Sequence, residues 1–121
     1  MSKKQNPAFK YETLDGTFLV VPRKETVGMQ ESDLKRYIEE LHKAFDTSHA
    51  KNVVVDIGSA PFFSSIIIGA ILGLCHRTRE TEGTAALCNA SAGMYEVINV
   101  MKLDSVMPYF KTREEAVASF S

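Results

Sequence analysis

Two adjacent serines, Ser64 and Ser65, stand between an aromatic pair, Phe62 and Phe63, and an isoleucine run, Ile66 to Ile68. A serine hydroxyl at a helix start accepts a hydrogen bond from one of the free backbone N–H groups there, so one of the pair reads as an N-cap. The isoleucines then pack on whatever lies beneath, and Pro61-Phe62 closes the loop ahead of them. The whole stretch, Ala60 to Gly69, follows a buried strand, the place where α/β folds carry their functional loops. Elsewhere the chemically active residue types lack partners at working distances. His42, His49 and His76 have no neighbours at metal-ligand spacing, and His42 and His76 read as surface residues among charges. Cys75 and Cys88 lack the Cys-x-x-Cys spacing of zinc or redox sites and read as packed, unlinked thiols. Gly58-Ser59-Ala60-Pro61 has too few glycines to cradle a phosphate chain, and no Gly-x-Ser-x-Gly elbow occurs. Nothing here asks for catalysis, a metal or a cofactor.

The elements that must position this stretch are legible on either side of it. Residues up to Pro7 are polar and read as a loose tail. From Phe9 the chain alternates, with Phe9, Tyr11 and Thr13 on one face and Lys10, Glu12 and Leu14 on the other, the period of a half-wet strand. Asp15-Gly16 then predicts a hairpin, because both residues tolerate positive φ, and Phe18 to Val21 supplies the return strand. Leu34, Ile38, Leu41 and Phe45 share one face of a helix that begins near Glu31. Val53 to Ile57 is a β-branched run suited to a central parallel strand covered on both sides. A helix from about Ser65 to Glu80, a buried strand at Ala85 to Cys88 and a Ser91-capped helix carrying Met94, Ile98 and Met101 follow. A short strand spans Val106 to Phe110, where Pro108 marks a sheet edge. A capping box, Thr112 with Glu115, opens a last helix from Arg113 to Phe120.

Strand–helix alternation after a hairpin predicts an α/β fold: a mixed, mainly parallel sheet of four or five strands with helices packed mainly on one side. Leu34, Ile38, Leu41, Val54, Ile71, Leu72, Leu87 and Ile98 are its expected core. The 121 residues suit one domain, and 14 basic against 15 acidic side chains disfavour a nucleic-acid partner. The apolar stretch Ile66 to Cys75 is too short to enter a membrane as a span, and the polar opening is not a signal peptide. Cytoplasmic residence is the expectation.

From Val53 to Leu74 the sequence is similar to the signature of STAS domains, the fold shared by anti-sigma factor antagonists and sulfate-transporter tails. That signature runs from a strand ending in Asp, through a short loop, to Asp-Ser-x-Gly-x-Gly opening a helix. The strand Asp is Asp56, the phosphorylatable serine falls on Ser65 without a gap, and the second glycine falls on Gly69. Gly83, the Ser91 helix, Leu103 to Val106 and Glu114-Glu115-Ala116 resemble the rest of the family. Two positions depart from it: Ser64 replaces the Asp before the phosphoacceptor and Ile67 the Gly after it.

The resemblance implies a flexible tail over residues 1–8, a STAS-like domain over residues 9–121, and a protein–protein interaction function. Its implied partner is an anti-sigma serine kinase, which supplies the ATP and phosphorylates Ser65, or Ser64. Contacts would come from Phe62, Phe63 and Ile66, flanked by Thr26, Val27 and Met29 and by Asn89 and Ser91, all abutting one end of the sheet. The alternative is an accessory role without phosphorylation, as a transporter subunit or a small-molecule or lipid-binding module.

Overall fold

The computed structural model describes residues 2–59 and 64–120, residues 2–5 by their backbone. Among the described residues six strands form one sheet in the order β1 (Ser2–Gln5), β2 (Phe9–Leu14), β3 (Thr17–Pro22), β4 (Asn52–Asp56), β5 (Ala85–Cys88) and β6 (Tyr109–Phe110). The first two pairings are antiparallel and the last three parallel. The described residues also form four α-helices, α1 (Glu31–Ser48), α2 (Ser65–Glu80), α3 (Ala92–Val100) and α4 (Arg113–Ala118), with 3₁₀ turns at Lys24–Gly28 and Leu103–Ser105. The expected mixed, mainly parallel arrangement is present, with six strands where four or five were expected, the added one being β1. β4 lies inside it, hydrogen-bonded to β3 and β5, and Val53, Val54 and Val55 are wholly buried.

Alternation along β4 divides the core in two. Val53 and Val55 face the large core, where α1 contributes Leu41 and Phe45, α2 contributes Ile71 and Leu74, and α3 contributes Met94 and Ile98. Val54 faces a smaller core on the far side, made with Leu19, Ala86, Cys88 and Ala116 of α4. Three helices thus cover one face and the six-residue α4 the other. Tyr11, Phe18 and Phe45 stack from β2 through β3 to α1, with ring centroids 5.6 and 5.4 Å apart. The turn between β2 and β3 has φ 48° at Asp15 and 81° at Gly16, the left-handed pair that matches hairpin twist.

Four local expectations need correction. Ser2 to Gln5 is not a tail: it pairs with β2 as an antiparallel edge strand. A polar strand of this kind gains ladder hydrogen bonds without an apolar face, so no hydrophobic period announces it. Asn6 secures the turn that follows. Its Oδ1 accepts from the Ala8 and Phe9 N–H groups, both at 2.9 Å, and its Nδ2 donates to the Tyr37 carbonyl at 3.1 Å. Leu72 is 36% exposed, because Ile67, Ile71 and Leu74 already fill the inward stripe of α2 and Leu72 falls outside it. Met101 is the exposed C-cap of α3, past the inward face that Met94 and Ile98 define. The last strand is only Tyr109–Phe110, since the chain first turns through Leu103–Ser105. Pro108, which has no N–H to give, contributes its carbonyl to the Leu87 N–H at 2.9 Å.

Candidate functional site

The parallel arrangement of β3, β4 and β5 brings the ends of all three strands to one side of the sheet. The connections leaving these ends carry nearly every residue singled out from the sequence. After β3 comes the Lys24–Gly28 turn with Thr26, Val27 and Met29; after β4 comes the start of α2; after β5 come Asn89 and Ser91.

The two serines have different jobs. Ser64 is the N-cap of α2, in extended backbone, and its Oγ accepts from the Ile67 N–H at 3.3 Å. Its carbonyl accepts from the Ile68 N–H at 3.0 Å. Ser65 is the first residue of the helix. It is exposed, and its hydroxyl has no hydrogen-bond partner among the described residues. The capping assignment that the sequence left open therefore falls on Ser64. Ile67 is 3% exposed and packs into the large core, so the branched side chain at the family's glycine position points away from the outer surface. Gly69 is exposed, and a Cβ there would meet nothing within 4 Å, so the chain's own packing does not require that glycine.

Beside the serines lies a recess of about 130 Å³ lined by Thr26, Val27, Met29, Glu31, Leu34, Ser64 and Ile66. Val27 is half exposed at its rim, while Met29 and Ile66 rest partly buried on the core. The turn is held by its own backbone: the Thr26 N–H donates to the Arg23 carbonyl at 3.2 Å and the Met29 N–H to the Thr26 carbonyl at 3.3 Å. Phe62 and Phe63 lie outside the described residues.

Asn89 and Ser91 do not line this recess. Ser91 caps α3, accepting from the Met94 N–H at 3.3 Å. Asn89 belongs to a polar cluster around Asp56, which is 5% exposed. Asp56 Oδ1 accepts from the Gly58 N–H at 2.9 Å and from Asn89 Nδ2 at 3.1 Å. Its Oδ2 accepts from Arg113 Nε at 3.1 Å and Nη2 at 2.8 Å. Arg113 was missed in the sequence because it lies 57 residues from Asp56 and reads there only as the opening of a charged last helix. The carboxylate also bears on Cys88: burial first, and the Asp56 charge second, push that thiol up to about 12. Cys75 is also a buried free thiol, raised by desolvation.

His42 is a further correction. It is half buried between α1 and α2, its ring against Gly73 and its Nε2 3.1 Å from the Ala70 carbonyl. Desolvation lowers its pKa, against the opposing effect of that hydrogen bond. Among the described residues no group of three or more His, Cys, Asp or Glu side chains is placed to hold a metal ion. No described helix is long and apolar enough to cross a membrane.

The mixed sheet, with three helices on one face and α4 on the other, defines a domain of the α/β class. The particular family follows from comparison: the STAS domain model matches residues 12–116, and the chain belongs to that family. BtrV of Bordetella bronchiseptica, assigned as an anti-sigma factor antagonist, is 29% identical over 70 residues, which span 58% of this chain and 60% of BtrV. A Thermotoga maritima protein with the same assignment superposes with a TM-score of 0.78 at 16% identity, covering 93% of each chain. The anti-sigma factor antagonist SpoIIAA in its unphosphorylated form gives 0.72 at 19% identity, covering 93% of this chain and 95% of its own. The phosphorylated form of SpoIIAA from Bacillus gives 0.67 at 20% identity, covering 94% of this chain and 100% of its own. At these identities the structural matches establish a shared fold.

Proposed function

We propose that this chain is a cytoplasmic anti-sigma factor antagonist that binds an anti-sigma serine kinase, is not itself an enzyme, and is controlled by phosphorylation of Ser65. The observation that carries the reading is the division of labour between the serines. Ser64 spends its hydroxyl on the helix cap, whereas Ser65 presents an exposed hydroxyl at the first turn of a 16-residue helix. The kinase would contact Ser64, Ser65 and Ile66, the Thr26, Val27 and Met29 wall of the recess, and Asn89 and Ser91, with Phe62 and Phe63 adjoining in sequence. Similarity to BtrV supports the regulatory assignment.

The switch works by an asymmetry of environments. Transfer of the γ-phosphoryl group of ATP to Ser65 Oγ, with ADP leaving, adds about −1.5 to −2 charges. Within the domain, the free N–H groups and positive end of α2 accommodate that charge. In a complex, the same charge would be pressed against Ile66, Val27 and Met29 and the partner surface that covers them, where desolvation is costly. Binding is then reversed without refolding.

The test is to incubate the full chain with ATP and each anti-sigma serine kinase of its source organism, followed by intact-mass and site-mapping mass spectrometry. Addition of one phosphate at Ser65, lost in Ser65→Ala and retained in Ser64→Ala, supports the reading. No kinase of this class binding or modifying the chain refutes it. Stable binding without phosphate transfer favours the unphosphorylated accessory role instead.

A further inference from the structure

The Asp56 cluster joins three chain segments that are remote in sequence. Gly58 opens the β4–α2 connection, Asn89 opens the β5–α3 connection, and Arg113 is the first residue of α4 on the far face of the sheet. One buried carboxylate takes four hydrogen bonds from these segments, two on each oxygen. The fit is close: a Cβ at Gly58 would collide with the Asn89 amide and come within 3.1 Å of Asp56 Oδ1. Asn89 is also held with φ at 67°, a left-handed conformation that asparagine tolerates. By contrast, α4 is a lightly anchored element. It has six residues, its one buried residue is Ala116, and the far-side core it completes is small. Beside that small core, with Phe110 and Phe120 packed against it, the two hydrogen bonds from Arg113 to Asp56 give α4 a polar anchor at its first residue.

We propose that Arg113 is a positioning residue: docking of α4 on the far face, transmitted through Asp56, sets the placement of Gly58 and Asn89 at the binding end of the sheet. A ligand, protein or modification that displaces α4 would then loosen those two loop origins without touching them. This rests on the proposed partner surface in one respect, that Asn89 belongs to it.

The experiment uses the isotope-labelled full chain and measures solvent exchange of the Gly58 amide and the Asn89 side-chain amide, relative to the Val53 and Leu87 amides in the sheet. Four variants are compared: Arg113→Ala, Arg113→Lys, Ala116→Asp, which undocks α4 while leaving both Arg113 and Asp56 in the chain, and Leu41→Ala, a destabilised control in α1. Arg113→Ala and Ala116→Asp should each raise the relative exchange about tenfold, the scale of losing hydrogen bonds to a charged acceptor. Arg113→Lys, which keeps the charge and loses the fork, should restore part of the protection. Leu41→Ala should leave the ratio at its wild-type value. No change at Gly58 and Asn89 in Ala116→Asp, or an equal change in Leu41→Ala, overturns the proposal. Should Ala116→Asp fail to fold, Ala116→Ser is read by the same criteria. No kinase enters these measurements, so loss of this inference and loss of the binding reading are separately visible.

Discussion

Replacing the two serines one at a time separates a helix cap from a control point. In Ser64→Ala the Ile67 N–H loses the acceptor now 3.3 Å away. Loss of an N-cap of this kind costs about 1 kcal/mol. For a domain between 100 and 150 residues that corresponds to a fall in melting temperature of about 3–6 °C. Ser65→Ala removes a hydroxyl that bonds to no described residue, so its melting temperature should stay within about 1–2 °C of wild type, the range of an ordinary surface change. Ser65→Asp places a carboxylate in the first turn of α2, where the macrodipole stabilises it by about 0.3–1 kcal/mol. Its melting temperature should hold or rise slightly while its affinity for the kinase falls. Calorimetry on the free variants comes first, then titration with the kinase. Ser64→Ala is expected to be less stable and to bind once folded; Ser65→Ala is expected to be stable and to bind. Ser65→Asp is expected to be stable and not to bind. A loss of stability in Ser65→Ala equal to that in Ser64→Ala would refute the assignment of the cap. Undiminished kinase affinity in Ser65→Asp would refute the control point.

Neighbouring residues of α2 should respond very differently to truncation: Leu74→Ala, at a wholly buried site, should cost about 2–5 kcal/mol in urea unfolding. Leu72→Ala, on the exposed side, should stay within about 0.5 kcal/mol, and equal losses would contradict the inward stripe. His42, with its pKa lowered in the folded state, contributes stability that is present above its unfolded value of 6.5 and lost as pH falls below that toward the folded value. Urea midpoints measured across this range should show a downward slope that flattens in His42→Gln; an unchanged slope would mean another group titrates. Cys88, with its thiol pushed up to about 12, should resist iodoacetamide at pH 8 in the folded chain and react on unfolding. Prompt labelling of Cys88 in the native state would show that its burial is misjudged.

What the sequence determines by itself is local or periodic. The Asp15-Gly16 turn, the Ser91 and Thr112 caps, the inward face of α1 and the two-sided burial of β4 were legible because each depends on residues within a few positions of one another. The motif from Asp56 to Gly69 was legible for the same reason, since its spacing survives without a gap. Contacts between distant segments were not. β1 carries no hydrophobic period, and its place beside β2 comes from edge hydrogen bonds that any polar strand can make. His42 stands among charged neighbours in sequence, yet α1 packs it against Gly73 of α2, where burial sets its titration. The sequence placed Asn89 beside the serines, because β4 and β5 end at the same side of the sheet. Only the tertiary structure turned it to Asp56 and brought Arg113 there from the far face. The physical reason is that a buried carboxylate must be satisfied by whatever donors the fold delivers, and that delivery depends on strand order and helix docking, not on neighbours along the chain.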